Sequence, residues 1–128
     1  MKLLLDTHTL LWASLDSSEL SQTARDHFLD TTNTLFISPA SYWEVAIKIS
    51  IGKYELTEPV SDYFGREILA NDIRILPITL RHADIVSRLE FHHKDPFDRL
   101  LIAQSVCENI PILSRDKVFD EYGIDRIR

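Results

Sequence analysis

The 128-residue chain holds one cysteine (Cys107), three glycines and five prolines, and each scarcity closes off a class of protein. A lone cysteine forbids an intramolecular disulfide and fits a reducing compartment. With so little glycine and proline the chain is neither collagen-like nor a disordered linker, and its 45% hydrophobic content supplies a core. No apolar run approaches the ~20 residues of a transmembrane helix. The opening Met1-Lys2-Leu3-Leu4-Leu5 reaches Asp6 too soon for a secretory leader, so a cytoplasmic location without membrane attachment is expected. Positive charge is also in short supply: 14 Lys and Arg against 20 Asp and Glu leave a net charge of -6. Such a chain does not coat nucleic acid by charge alone. It can still cut it, since a carboxylate site for divalent cations is acidic before the metal arrives.

What the sequence does contain is an alternation of short apolar runs with longer helical patterns, at the usual length of one domain. Leu3-Leu4-Leu5 reads as a strand, continuous rather than alternating and so buried on both faces. Helices are expected around Leu10-Leu11-Trp12 and over Ser21 to Leu29, followed by a strand at Leu35-Phe36-Ile37. Ser38-Pro39 opens a helix whose stripe Tyr42, Val45, Ala46, Ile49 has the i, i+3, i+4, i+7 spacing, with Gly52 to stop it. Val60 to Ala70 reads as helix and Ile73 to Leu76 as a third strand. Thr79 caps a helix carrying Leu80, Ala83, Val86 and Leu89. After the loop His92-His93-Lys94-Asp95-Pro96 comes a helix from Phe97 to Glu108, with Cys107 on its inner face beside Leu100 and Ala103. Pro111 to Leu113 is a fourth strand and Ile124 to Ile127 a short fifth. With no internal repeat, the pattern predicts a three-layer α/β domain on a mainly parallel sheet.

Ligands of open parallel sheets collect at the carboxyl ends of the strands. Asp6 ends the first strand, Glu44 lies in the first turns after the second, and Asp116 follows the fourth, two residues past Ser114. Asp98 stands in the first turn of the helix that feeds the fourth. Four carboxylates far apart in sequence would converge there, and oxygen-only ligation suits Mg²⁺ or Mn²⁺ rather than zinc. Hydrolysis of a phosphodiester by water needs an activated nucleophile and a counter-charge, which cations held by carboxylates supply. Each acid also has a local reading. Asp6 and Asp116 can cap helices, and Ser41 to Glu44 resembles a capping box. Glu44 can pair with Lys48 on a solvated face. Asp95-Pro96-Phe97-Asp98 is a strong helix start, with Asp95 at the cap.

Asp6-Thr7-His8-Thr9-Leu10-Leu11-Trp12 resembles the opening motif of a subgroup of PIN-domain proteins, and Ser38-Pro39-Ala40-Ser41-Tyr42-Trp43-Glu44 their second. Asp95 to Gln104 resembles the third, and Leu113-Ser114-Arg115-Asp116, with Phe119 and Tyr122-Gly123 behind it, the fourth. In order and extent the whole chain, 1–128, is similar to a single PIN domain of a VapC-type toxin ribonuclease from a type II toxin–antitoxin pair. The resemblance implies a sheet ordered 3-2-1-4-5 and metal-dependent endoribonuclease activity with Mg²⁺ or Mn²⁺. It implies Asp6 and Asp98 as the main metal ligands, with Glu44 and Asp116 completing the shell and orienting the attacking water. Ser114 replaces the family's usual threonine and keeps the hydroxyl; Asp95 is read as a cap with a possible accessory role. Expected partners are RNA, an antitoxin encoded by an adjacent gene, and a second copy in a homodimer. The alternative is a PIN-fold module that binds a protein or RNA partner without cutting.

Other candidates weigh less. His92 and His93 are adjacent with no cysteine near, a poor zinc pair, and are read as loop residues; His8 is expected at the rim. Asp6 lacks the second aspartate at His8 that an aspartyl-phosphatase pattern requires. Isolated glycines at 52, 65 and 123 make no phosphate loop, and no nucleophile elbow is present. Lys48, Lys53, Lys94, Arg99, Arg115 and Lys117 are candidate phosphate contacts.

Overall fold

The computed structural model describes residues 1–128. Five parallel strands, β1 (Lys2–Leu5), β2 (Thr34–Ile37), β3 (Arg74–Ile75), β4 (Ile112–Leu113) and β5 (Arg126–Ile127), form one sheet in the order β3-β2-β1-β4-β5. Six α-helices connect them: α1 (Thr7–Ser14), α2 (Gln22–Leu29), α3 (Pro39–Ser50), α4 (Val60–Ala70), α5 (Leu80–Arg88) and α6 (Pro96–Glu108). A 3-10 turn over Lys117–Tyr122 leads into β5. The expected α/β class and strand order are both found.

Strand β1 is central, and Leu3, Leu4 and Leu5 are fully buried. Alternate side chains of a strand face opposite ways. Leu3 and Leu5 accordingly enter a core with Leu10, Phe28, Val45 and Phe64 from α1 to α4, while Leu4 enters a second core with Leu101, Ile102 and Phe119. That two-sided burial is why the strand reads as an unbroken leucine run. Each buried leucine contributes about 1.5–3 kcal/mol of transfer free energy.

Three expectations need correction. The third strand contracts to Arg74–Ile75, an exposed edge strand, although Ile73 and Leu76 on either side are buried. The stripe proposed for α5 is not the buried one: Leu80 is 90% exposed and Ala83 is exposed. The inward residue is His82, fully buried, whose Nδ1 accepts the Thr79 N–H while its own N–H donates to the Thr79 hydroxyl. Behind His82 the residues Ile85, Val86 and Leu89 are half-buried, so the expected stripe holds only at its carboxyl end. Cys107 is only half-buried, because the buried face of α6 runs through Arg99, Ile102, Ala103 and Gln104.

Candidate active site

The register of β1 and β4 pairs Leu5 with Leu113, so the two chains leave the sheet side by side at Asp6 and Ser114. There the Ser114 hydroxyl donates to Asp6 Oδ2 at 2.7 Å and accepts the Asp116 N–H at 3.0 Å. Asp6 occupies the cap position of α1 but makes no side-chain cap bond, so its carboxylate is turned to the site. It is 7% exposed. Burial pushes its carboxyl up, and the Glu44 charge adds to this; the Ser114 bond and His8 pull the other way.

Glu44 reaches the same place from α3. The helix is capped by Ser38, whose hydroxyl accepts the Ala40 N–H, so the capping box read at Ser41 is not formed. Ser41 instead lies 2.9 Å from the Thr7 hydroxyl, which donates to Glu44 Oε1 at 3.0 Å. Glu44 Oε2 accepts from Lys48 Nζ at 2.8 Å. The i, i+4 pair is present, but Glu44 is buried rather than on a solvated face. Glu44, foremost by its hydrogen bond, holds the Lys48 ammonium above its ordinary pKa, and Asp95 and Asp98 reinforce it.

Asp98 stands one turn into α6. Its Oδ2 accepts from His93 Nε2 at 2.8 Å. Burial raises its carboxyl to about 7, with the charges of Asp95 and Asp6 pushing the same way and His93 opposing them. Asp95 is the cap it was expected to be: Oδ1 accepts the N–H groups of Phe97 and Asp98 at 2.9 and 3.1 Å. The ligand atoms of His93, Asp95 and Asp98 also lie within 4.8 Å of one another. Asp116 is exposed and caps the 3-10 turn through the Val118 N–H at 3.0 Å, while lining one cleft with Asp6.

Asp6, Glu44 and Asp98 are thus drawn into one electrostatic neighbourhood, and Asp116 faces Asp6 across a cleft. His93 was missed as a site residue, as was Thr7 in its contact with Glu44. The only sequence signal for His93 was its place in the loop entering α6. Arg99, a candidate phosphate contact, is instead 5% exposed, its guanidinium donating to the carbonyls of Val86, Leu89, Glu90 and His93.

The donor set fits a hard divalent cation. It is all oxygen and anionic, and its two most buried aspartates are destabilised in their charged forms until a cation offsets them. In Asp6 and Asp98, hydrogen bonds from Ser114 and His93 orient one oxygen of each. Both oxygens of Glu44 are already engaged, so a direct bond from Glu44 to a metal requires Lys48 or Thr7 to yield.

A five-stranded parallel sheet in the order 3-2-1-4-5, with acidic residues at the carboxyl ends of its central strands, is the arrangement that the resemblance to PIN domains implies. The PIN domain family model matches residues 3–125, and the chain belongs to that family. Its fold is shared by several solved structures. A chain of VapBC2 from Rickettsia felis, solved bound to a DNA fragment from its promoter, is 14% identical with a TM-score of 0.70, covering 98% of this chain and 97% of that one. A chain of DNA-bound VapBC from Salmonella typhimurium is 14% identical with a TM-score of 0.70, covering 100% and 97%. FitAcB from Neisseria gonorrhoeae is 17% identical with a TM-score of 0.65, covering 98% and 96%. No curated protein matches the sequence. No helix is long and apolar enough to cross a membrane.

Proposed function

We propose that this chain is a Mg²⁺- or Mn²⁺-dependent endoribonuclease, the toxin half of a type II toxin–antitoxin pair acting in the cytoplasm. The observation that carries the reading is Asp6, buried at the end of the central strand with the charges of Glu44 and Asp98 gathered on it. Asp6 and Asp98 would hold the cation, and Glu44 and Asp116 would complete the shell. A cation held there supplies counter-charge to the scissile phosphate and makes water a better nucleophile at neutral pH. The chain's own groups do the positioning. Ser114 fixes Asp6 and the backbone of Asp116; Lys48 and Thr7 fix Glu44; His93 fixes Asp98. Glu44 and Asp116 would orient the attacking water, and a carboxylate of this set would take its proton. The antitoxin, RNA and a second copy of the chain are the partners this reading assigns, by its likeness to VapBC assemblies.

The test is incubation of purified, antitoxin-free protein with RNA in Mg²⁺ or Mn²⁺, with EDTA as control. Asp6→Asn and Asp98→Asn should fold yet lose cleavage by orders of magnitude, because an amide holds Mg²⁺ far more weakly than a carboxylate. Asp95→Asn should keep most of the activity, since asparagine caps a helix about as well. Intact RNA under every condition would favour a PIN-fold module that binds without cutting.

A further inference from the structure

We propose that His82, Cys107 and Glu108 form a second metal site, for a borderline divalent cation such as Zn²⁺, which ties α5 to α6. Their ligand atoms, an imidazole nitrogen, a thiol sulfur and a carboxylate oxygen, lie within 4.8 Å of one another. The trio is separate from the acidic cluster. Asp98 stands at the start of α6, whereas Cys107 and Glu108 end that helix and His82 lies in the first turn of α5. Neighbouring residues on a helix diverge by about 100°, and the longer glutamate stem brings its oxygen back toward the cysteine.

The observation that points to a ligand is the His82 ring. It is fully buried, and Nδ1 is committed as acceptor of the Thr79 N–H at 3.0 Å. A neutral imidazole has one donor and one acceptor, so its proton sits on Nε2. That Nε2 is buried without a hydrogen-bond partner. Glu108 Oε1 lies 3.5 Å away, an ion-pair distance rather than a hydrogen bond. Gln104 Oε1, one turn earlier on α6, is also buried and unpartnered and does not accept from it. A buried donor left unpaired is costly, and folded proteins seldom carry one without a use for it.

The donor set selects the ion. Nitrogen, sulfur and a single oxygen suit zinc, whereas the all-oxygen cluster around Asp6 and Asp98 suits Mg²⁺ or Mn²⁺. Three protein ligands leave one position for water, and the half-buried Cys107 and a Glu108 side chain 34% exposed give the ion a way in. Thiolate and carboxylate together offset its two positive charges. Binding releases one proton, from the thiol. The imidazole proton stays on the ring and moves from Nε2 to Nδ1, which frees the Nε2 lone pair for the ion. Nδ1 then ceases to accept from Thr79, an exposed residue whose N–H turns to water. Metal binding and the α5 cap are thus competing uses of one ring.

The experiment titrates the reduced full chain with Co²⁺, a spectroscopic stand-in for Zn²⁺, and follows the near-ultraviolet charge-transfer band of a cobalt–thiolate bond. The parent should show the band at one equivalent, and Zn²⁺ should displace it. The double variant Asp6→Asn/Asp98→Asn should show it equally, which separates this site from the acidic cluster. Cys107→Ser should abolish the band. Glu108→Gln should weaken binding about tenfold or more, since even an outer-shell partner of a metal ligand is worth that much. Nitrogen NMR of the histidine side chains reads His82 directly and needs no substitution at a buried residue. Its proton should sit on Nε2 in EDTA and on Nδ1 with Zn²⁺ bound, while amide exchange at Thr79 rises. Absence of the band, its survival in Cys107→Ser, its loss with Asp6 and Asp98, parental affinity in Glu108→Gln, or a His82 proton that stays on Nε2 would each overturn the site.

Discussion

Asp98 sets the pH behaviour of the metal-free protein. In the unfolded chain its carboxyl titrates near the ordinary 3.8; in the fold it titrates at about 7, because burial and the neighbouring Asp95 and Asp6 charges disfavour the ionised form. A carboxyl raised by folding contributes stability that is full below pH 3.8 and is lost as pH rises through 7. Asp6 is shifted in the same direction. Asp30, Glu58 and Asp120 are lowered, by hydrogen bonds from Thr32, Arg66 and Arg126 respectively. Asp30 and Asp120 are exposed and Glu58 is half-buried, and all three lose their contribution only as pH falls toward and below the ordinary carboxylate range. In EDTA the melting temperature should therefore fall between pH 5 and pH 7.5, a window set by the Asp98 shift. Asp98→Asn should flatten that slope, which melts monitored by circular dichroism across the range would reveal. A slope the variant leaves unchanged would mean that other groups carry it.

At the scale of elements, the segment between α5 and α6 is held by two side chains, Arg99 and Tyr122. The Arg99 guanidinium donates to the carbonyls of Glu90 at 2.9 Å, Leu89 at 3.2 Å, Val86 at 3.3 Å and His93 at 3.4 Å, and its face lies 4.1 Å from the centroid of Phe91. Tyr122 supports the same loop, its hydroxyl accepting the His93 N–H and donating to the Glu90 carbonyl. This clamp fixes the backbone that presents His93 to Asp98. Lysine has three donors on a flexible stem and cannot reproduce a planar fork. Arg99→Lys should therefore destabilise the protein by about 2–3 kcal/mol through carbonyls left without donors. It should also raise amide exchange over residues 89–94 more than in the sheet. Urea melts and hydrogen exchange would check both. Exchange rising uniformly would assign Arg99 to global stability alone.

For the molecule as a whole, a cation held by the acidic cluster would couple metal binding to folding. A cation that binds the assembled carboxylates and not the unfolded chain stabilises by about 2.7 kcal/mol at a hundred times its dissociation constant. For a domain of this size that is roughly 3–6 °C. Mn²⁺ or Mg²⁺ should raise the melting temperature of the parent by this amount, and that of Asp6→Asn and Asp98→Asn by less. A scanning-fluorimetry curve unmoved at tens of millimolar Mn²⁺ would count heavily against a metal centre.

Much of this architecture is written in local patterns. Leu3-Leu4-Leu5 announced a strand buried on both faces, Ser38-Pro39 and Asp95-Pro96 announced helix starts, and the rule that parallel sheets bind at their carboxyl ends selected Asp6, Glu44, Asp98 and Asp116. These signals are legible because strand period, proline and caps act within a few residues of themselves. The contacts that finish the site act between segments far apart in the chain. Thr7 reaches Glu44 across 37 positions and Ser114 reaches Asp6 across 108, and only the register of three strands brings them together. Arg99 looked like a phosphate contact because a sequence cannot show that four carbonyls converge on it. The α5 stripe misled because His82, polar by type, is buried by the capping bond it makes to Thr79. The sequence by itself determined the fold class, the strand order's likeness to a PIN domain and the acidic positions, since each is encoded by local pattern and motif. Only the tertiary structure decided which carboxylates are buried and which side chains hold them, because burial and proximity belong to packed surfaces and not to any one segment.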